Sequence, residues 1–146
     1  GLHSSIAFDM SITSLFLPLL RSNMIHVLPQ NSQGDSLEEI TRAFDKLDFI
    51  KFTPAHLKAL SHSISSHSTH NAQKCFVIGG ENLLKEDMAF WLNHDNSSFI
   101  SVFNEYGPTE ATVGCCVFKV DELQNIRQAS IPIGRPISNT QIYILD

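Results

Sequence analysis

The sequence predicts an α/β fold in which a mostly parallel sheet is flanked by helices, and two observations carry that expectation. Short apolar runs without a helical period recur along the chain, and between them lie segments of about ten residues whose apolar positions return at helical spacing. Strands that short, alternating with amphipathic helices, build βαβ units whose strands are buried on both faces. Ligands of such sheets bind beyond the carboxyl ends of the strands. Polar residues that directly follow an apolar run are therefore the first candidates for function.

In chain order, the apolar runs at 25–28, 49–52, 76–78, 99–103, 115–120 and 142–145 are the expected strands. The first expected helix opens with Ser36, Leu37, Glu38 and Glu39, a capping box in which the Ser36 hydroxyl accepts from the Glu39 N–H and the Glu39 carboxylate reaches back. Leu37, Ile40, Phe44 and Leu47 then share one face. Thr53 followed by Pro54 is a second start signal, an N-cap and a first helical position, ahead of Leu57, Leu60 and Ile64. A third helix is expected over 83–93, burying Leu84, Met88, Trp91 and Leu92. On this reading Lys51, Gly79, Gly80, Glu81, Asn104, Glu105 and Tyr106 emerge at the strand ends.

Composition narrows the class of function. With 146 residues, 42% hydrophobic and 17% charged, the chain is expected to be one soluble globular unit with a core. A net charge of -5, and no run of Lys or Arg to neutralise a phosphate backbone, argue against nucleic acid as a partner. The apolar stretch at 12–20 is short of the roughly 20 residues that cross a bilayer, and no basic segment precedes it as in a signal peptide, so no membrane partner is expected. Cys75 lies in an apolar run and Cys115 adjoins Cys116, a spacing that fits neither a zinc site nor a disulfide framework and points to a reducing cytoplasm. His62, His67 and His70 fall in a Ser-rich patch without a carboxylate or thiolate, read as a helix running into a loop rather than a metal site. The chain opens in mid-phrase and stops directly after an apolar run, as a piece of a longer protein would.

The sequence YGPTE at 106–110, taken alone, serves equally as turn punctuation, a helix cap and a partner for a helix dipole. It does not stand alone. FDMS at 8–11, IGGE at 78–81, NEYGPTE at 104–110 and IGRPISNT followed by QIYILD at 133–146 occur in this order. In that order and spacing the chain resembles, over essentially its whole length, the adenylation domains of non-ribosomal peptide synthetases, within the superfamily of acyl-CoA synthetases and luciferases. The resemblance implies part of the large N-terminal domain of the adenylate-forming fold. It also implies amino-acid activation: the substrate carboxylate attacks the α-phosphate of ATP, giving an aminoacyl-adenylate and pyrophosphate, and the acyl group passes to a phosphopantetheine thiol on a carrier domain.

Residue by residue, the resemblance implies that Gly79, Gly80, Glu81, Asn104, Tyr106, Gly107, Pro108 and Thr109 bind the nucleotide. Thr109 and Glu110 would be the catalytic pair, the Thr109 hydroxyl at the α-phosphate and Glu110 as the ligand of Mg²⁺. Their chemistry suits these roles: Tyr106 offers a flat ring for adenine, and Asn104 both donates and accepts. Gly79 and Gly80 allow close backbone approach, and Glu110 supplies a hard oxygen. Asp9 matches the family's acidic residue for the α-ammonium, a charge-assisted contact.

The same resemblance lines the side-chain pocket with Asp9, Met10, Thr13, Lys51, Val77, Gly79, Glu105, Val113 and Gly114. Lys51 is donor-only and Glu105 acceptor-only, so a carboxamide satisfies both, and Gly79 and Gly114 leave room for a short chain. Asparagine is the expected substrate, and the lining also resembles those associated with asparagine in this family. Aspartate would set a second carboxylate against Glu105, and glutamine is a methylene longer. In the other reading of the pair, Lys51 and Glu105 simply neutralise one another. Peptidyl carrier and condensation domains of the parent are the expected partners, and dimerisation through an uncovered sheet edge is expected of the isolated chain. The family's phosphate loop, hinge Asp and C-terminal Lys lie outside 1–146, so this chain alone is expected to be inactive. Two readings compete: a ligase for acids without an α-amine, against which Asp9 weighs, and a non-catalytic α/β module.

Overall fold

The computed structural model of the chain describes residues 1–30, 36–64, 73–92, 100–121 and 123–145. Helices α1 (Met10–Leu20), α2 (Leu37–Ala43), α3 (Pro54–Ser63) and α4 (Lys85–Leu92) alternate with strands β1 (Phe49–Phe52), β2 (Lys74–Gly79) and β3 (Ile100–Tyr106), and strands β4 (Cys116–Val120) and β5 (Arg135–Pro136) follow. The strands form one five-stranded sheet in the order β1-β2-β3-β4-β5. Strands β1, β2 and β3 are mutually parallel, as the βαβ pattern requires. β4 runs back along β3, and β5 is antiparallel to β4, because the connection after β3 folds back as a turn rather than a helical crossover.

Successive side chains of a strand point to opposite faces, and the register sorts this sheet sharply. Ile50, Phe52, Phe76, Ile78, Val102 and Val120 share one face and form the core with Ile40, Phe44, Leu57, Leu60, Met88 and Trp91 from the α2, α3 and α4 side. Phe76 is central to it, edge-on to Phe52 at 5.4 Å and to Trp91 at 5.2 Å between ring centroids. Lys74 enters the same face, where its Nζ donates to the Phe44 carbonyl at 2.7 Å and the Leu47 carbonyl at 3.1 Å, tying off the 3-10 turn after α2. Burial pushes its ammonium below the usual lysine range, while Asp45 and Asp48 pull it back up.

The opposite face carries Lys51, Val77, Gly79, Phe103 and Glu105, and α1 packs against β1 there. This helix is inverted. Ser11 and Ser14 are buried, while Phe16 is 57% and Leu20 80% exposed.

Local signals explain the helix starts. The Thr53 hydroxyl accepts from the His56 N–H at 3.3 Å, with Pro54 in the first turn, as the sequence predicts. α4 lies inside the expected 83–93, and Leu83 rather than Leu84 is the leucine buried with Met88 and Trp91. Its start is held by the Asp87 carboxylate, which accepts from the Leu84 N–H at 3.1 Å, one half of a capping box.

Several expectations are corrected. Ser36 does stand at the N-cap of α2, but its side chain makes no capping bond: its ψ of 7° is not the extended cap conformation, and Glu39 pairs with Arg42 instead. Residues 25–28 form no strand and contribute a single bridge between Val27 and Leu2. Residues 142–145 are irregular and exposed, Ile144 by 98%. The apolar stretch at 12–20, weighed in the sequence as a membrane span, lies within α1, and no described helix is long and apolar enough to cross a membrane. His67 and His70 lie outside the described residues, and among those described no group of three metal-capable side chains occurs.

Candidate functional site

The site is built on the face beneath α1. β1 and β2 set Lys51 opposite Val77, and β2 and β3 set Gly79 opposite Glu105, so Lys51 and Glu105 project from the same side of the sheet on strands separated by β2. The Lys51 ammonium is 3.1 Å from Glu105 Oε2 and donates to Oε1 at 3.2 Å, with both side chains nearly enclosed. It also donates to the Thr13 hydroxyl at 2.9 Å, and Thr13 lies 3.5 Å from Glu105 Oε1. The polar side of α1 thus closes on the ion pair. Two charges so buried recover their lost hydration only through such additional hydrogen bonds.

Glycines shape this floor for specific reasons. A Cβ on Gly114 would lie 1.8 Å from Glu105 Oε1, so glycine lets the carboxylate lie across the backbone. A Cβ on Gly79 would meet the Glu105 carbonyl at 2.8 Å, so the close approach of β2 to β3 already requires glycine before any ligand does.

Between β3 and β4 the chain is folded tightly back. Thr112 and Val113 have positive φ values of 63° and 70°, and the Gly114 N–H donates to the Thr112 carbonyl at 2.8 Å, a γ-turn centred on Val113. A β-branched residue held there costs on the order of 1–3 kcal/mol and persists where its surroundings over-determine it. Here the Cys115 N–H donates to the Tyr106 carbonyl at 2.9 Å, and Gly107 packs so closely that a Cβ would be 2.5 Å from the Val113 carbonyl. The strained turn adjoins Gly114 and so borders the Glu105 carboxylate.

At the mouth, the Thr109 hydroxyl donates to the Asp9 carboxylate across 100 positions of sequence, joining the start of α1 to the 3-10 turn Thr109–Ala111. Tyr106 is 49% exposed. Pro108, Glu110, Gly80 and Glu81 are exposed, and Gly80 has a φ of 87° that favours glycine. Asn104 points the other way: it is buried on the core face, and its amide donates to the Pro132 carbonyl at 2.9 Å and the Ile131 carbonyl at 3.3 Å. Its donors hold that segment in place. Met10 is half-buried at the start of α1 and Val77 is buried in the floor.

The fold therefore brings together Thr13, Lys51, Glu105 and Gly114, and separately Asp9 with Thr109. It does not join Asn104 or Glu81 to either group. As a metal ligand, Glu110 supplies one exposed carboxylate, next in the chain to Thr109. Mg²⁺ takes one or two carboxylates and completes its shell with water and substrate phosphates, so that donor fits it. One buried residue near Lys51 escaped the sequence reading altogether: His3, an isolated histidine outside any recognisable motif.

Comparison with known proteins shows the family and the fold. The family model for AMP-binding enzymes matches residues 2–146. The chain is 39% identical over 146 residues to bacitracin synthase 3 of Bacillus licheniformis, an alignment covering 100% of this chain and 2% of that protein. It is 40% identical over 145 residues to tyrocidine synthase 3 of Brevibacillus parabrevis, covering 99% of this chain and 2% of that one. The Vibrio cholerae adenylation domain AlmE, solved in complex with glycyl-adenosine-5'-phosphate, superposes with a TM-score of 0.74 at 25% identity, covering 93% of this chain and 25% of that one. An NRPS protein containing adenylation and PCP domains superposes with a TM-score of 0.80 at 22% identity, over 99% of this chain and 28% of that chain, a likeness of fold. The chain spans a small part of each of these proteins. It belongs to the AMP-binding enzyme family, and its sheet and helices match the N-terminal domain of adenylation-domain structures.

Proposed function

We propose that this chain is the part of an amino-acid-activating domain where the amino acid meets ATP. The parent would convert both to aminoacyl-AMP and pyrophosphate in the cytoplasm, and pass the acyl group to phosphopantetheine on a carrier domain, with a condensation domain as neighbour. The observation that carries the reading is the contact between Asp9 and Thr109, beside the Lys51–Glu105 pair. In an aminoacyl-adenylate only a few bonds separate the α-nitrogen from phosphorus. A carboxylate for the ammonium and a hydroxyl for the α-phosphate must then be neighbours, although they come from distant parts of the chain.

Tyr106 would stack on adenine, and Gly79, Gly80, Glu81, Gly107 and Pro108 would shape the nucleotide cleft, with Asn104 holding 131–132 beneath it. Glu110 would hold Mg²⁺, which when bound supplies positive charge against the phosphates of ATP. Asp9 requires an α-amine, which disfavours the reading as a ligase for plain carboxylic acids. The exposed apolar side of α1, with Ile12, Phe16 and Leu20, is where the isolated chain would associate with a second copy.

Asparagine is the proposed amino acid. Thr13 and Glu105 Oε1 take two of the three donors of the Lys51 ammonium, which leaves one for a carboxamide oxygen, and the Glu105 carboxylate, with roughly four acceptor sites, keeps room for the carboxamide nitrogen. Their direct contact at 3.1 Å also favours a second reading, in which the charges cancel and the floor admits an uncharged chain of another kind. Amino-acid-dependent ATP–pyrophosphate exchange by the intact parent decides between them. Asparagine is expected to give the highest rate, and aspartate or an apolar amino acid outrunning it overturns the assignment. The 146-residue chain by itself is expected to give no exchange.

A further inference from the structure

We infer that His3 is a positioning residue for Lys51, and hence for amino-acid recognition, an inference that rests on the role proposed for Lys51 above. Among the described residues β1 pairs with β2 along one edge only, so its carbonyls on the other edge need partners from elsewhere. The Lys51 carbonyl finds one in His3, whose Nε2 lies 2.6 Å away, with both residues buried. A carbonyl can only accept, so the proton is on Nε2 and Nδ1 is bare, a tautomer set by the partner.

The backbone that carries the imidazole is itself anchored. The Leu2 N–H donates to the His26 carbonyl at 2.9 Å, the Leu28 N–H to the Leu2 carbonyl at 2.8 Å, and Gln30 Nε2 to the His3 carbonyl at 3.1 Å. Its ring meets His56 edge-on at 5.2 Å and lies 5.9 Å from Phe52. His56 Nδ1 is 2.8 Å from the hydroxyl of Thr53, the residue directly after β1, and Thr53 Cγ2 faces the Gly80 backbone. His3 therefore sits where the end of β1 meets the turn beside the glycine pair.

The Lys51 side chain rises from the sheet face at the same residue and must reach Thr13 and Glu105 at once. With its carbonyl pinned by His3, the backbone under Lys51 has one orientation and its ammonium one reach. Without that bond the peptide after Lys51 can turn to find another donor, and the ammonium shifts with it. An ångström-scale displacement of a positioning group is enough to cost one or two orders of magnitude in a substrate step.

The test uses ATP–pyrophosphate exchange by the intact parent carrying His3→Ala, His3→Gln or Lys51→Ala, with KM for the amino acid, KM for ATP and kcat measured for each. His3→Ala is expected to raise the amino-acid KM about tenfold while leaving KM for ATP and kcat within about twofold. His3→Gln is expected to recover most of the loss, since its amide can donate to the same carbonyl. A fall in kcat and melting temperature with the amino-acid KM unchanged in His3→Ala would reduce His3 to a scaffold residue and overturn the inference. So would a His3→Gln variant no better than His3→Ala. If Lys51→Ala raises the amino-acid KM and His3→Ala does not, the His3 inference alone fails; if Lys51→Ala leaves it unchanged, the Lys51 reading fails with it.

Discussion

On the sheet face covered by α2, α3 and α4, Ile50, Phe52, Phe76, Ile78 and Val102 are almost wholly buried, and Lys74 is spent on two backbone carbonyls. On the face under α1 the same three strands present Lys51, Val77, Gly79 and Glu105, and the helix turns serines inward and Phe16 and Leu20 outward. The contrast separates two tasks within one sheet. The first face removes apolar area from water and supplies stability. The second holds charges and strained backbone in a geometry that stability alone would not select.

Substitutions on the two faces should therefore fail differently. The largest effect on stability is expected for Phe76→Ala, which should cost about 3–5 kcal/mol by chemical denaturation, as for a large aromatic removed from a closed core. Gly114→Ala should act chiefly on recognition. Its Cβ would displace the Glu105 carboxylate, raising the amino-acid KM of the parent by about tenfold while lowering unfolding free energy by about 1–3 kcal/mol, as for an overpacked site. A Gly114→Ala protein as unstable as Phe76→Ala would erase the distinction between the faces.

The smallest effect concerns His3. Burial pushes its imidazole below the usual histidine range, and neighbouring His56 adds to this, while the bond to the Lys51 carbonyl opposes it. With the folded pKa depressed, the unfolded chain takes up the proton first. The stability contribution is then complete above about pH 6.5, the ordinary histidine value, and is lost as pH falls toward the folded pKa. Denaturation midpoints at about pH 7 and pH 5 should show a larger acid loss for the wild type than for His3→Gln. Equal losses would mean that His3 is not the group responsible.

How much of this was legible in the sequence follows from where the information lies. β1, β2, β3 and α3 follow from local rules, an apolar run or a Thr-Pro start that needs no distant partner. α1 did not, because its apolar side faces away from this sheet, and periodicity does not say which side of a helix is covered. Residues 25–28 and 142–145 look like strands in composition, yet a strand requires a paired neighbour, and sequence carries no record of pairing. The reversal at β4 was hidden for the same reason.

Within the site, Lys51 and Glu105 are recognisable as complementary types, but their direct contact and the seating of Thr13 on both depend on packing. Asn104 stands out in its motif, yet its position on the strand turns it toward 131–132. Val113 is a residue type rarely expected at positive φ, and the contact of Asp9 with Thr109 spans most of the chain. His3 bears no motif at all.

The central claim is that the Lys51–Glu105 pair, seated by Thr13 and Gly114, reads the amide of the amino-acid side chain. Glu105→Gln tests it most directly, because it keeps the shape and removes the charge. In ATP–pyrophosphate exchange by the intact parent, the ratio of kcat/KM for asparagine over aspartate should fall by about tenfold or more, since the repulsion that excludes a second carboxylate is gone. An unchanged ratio would contradict the account and leave the pair as a neutral floor.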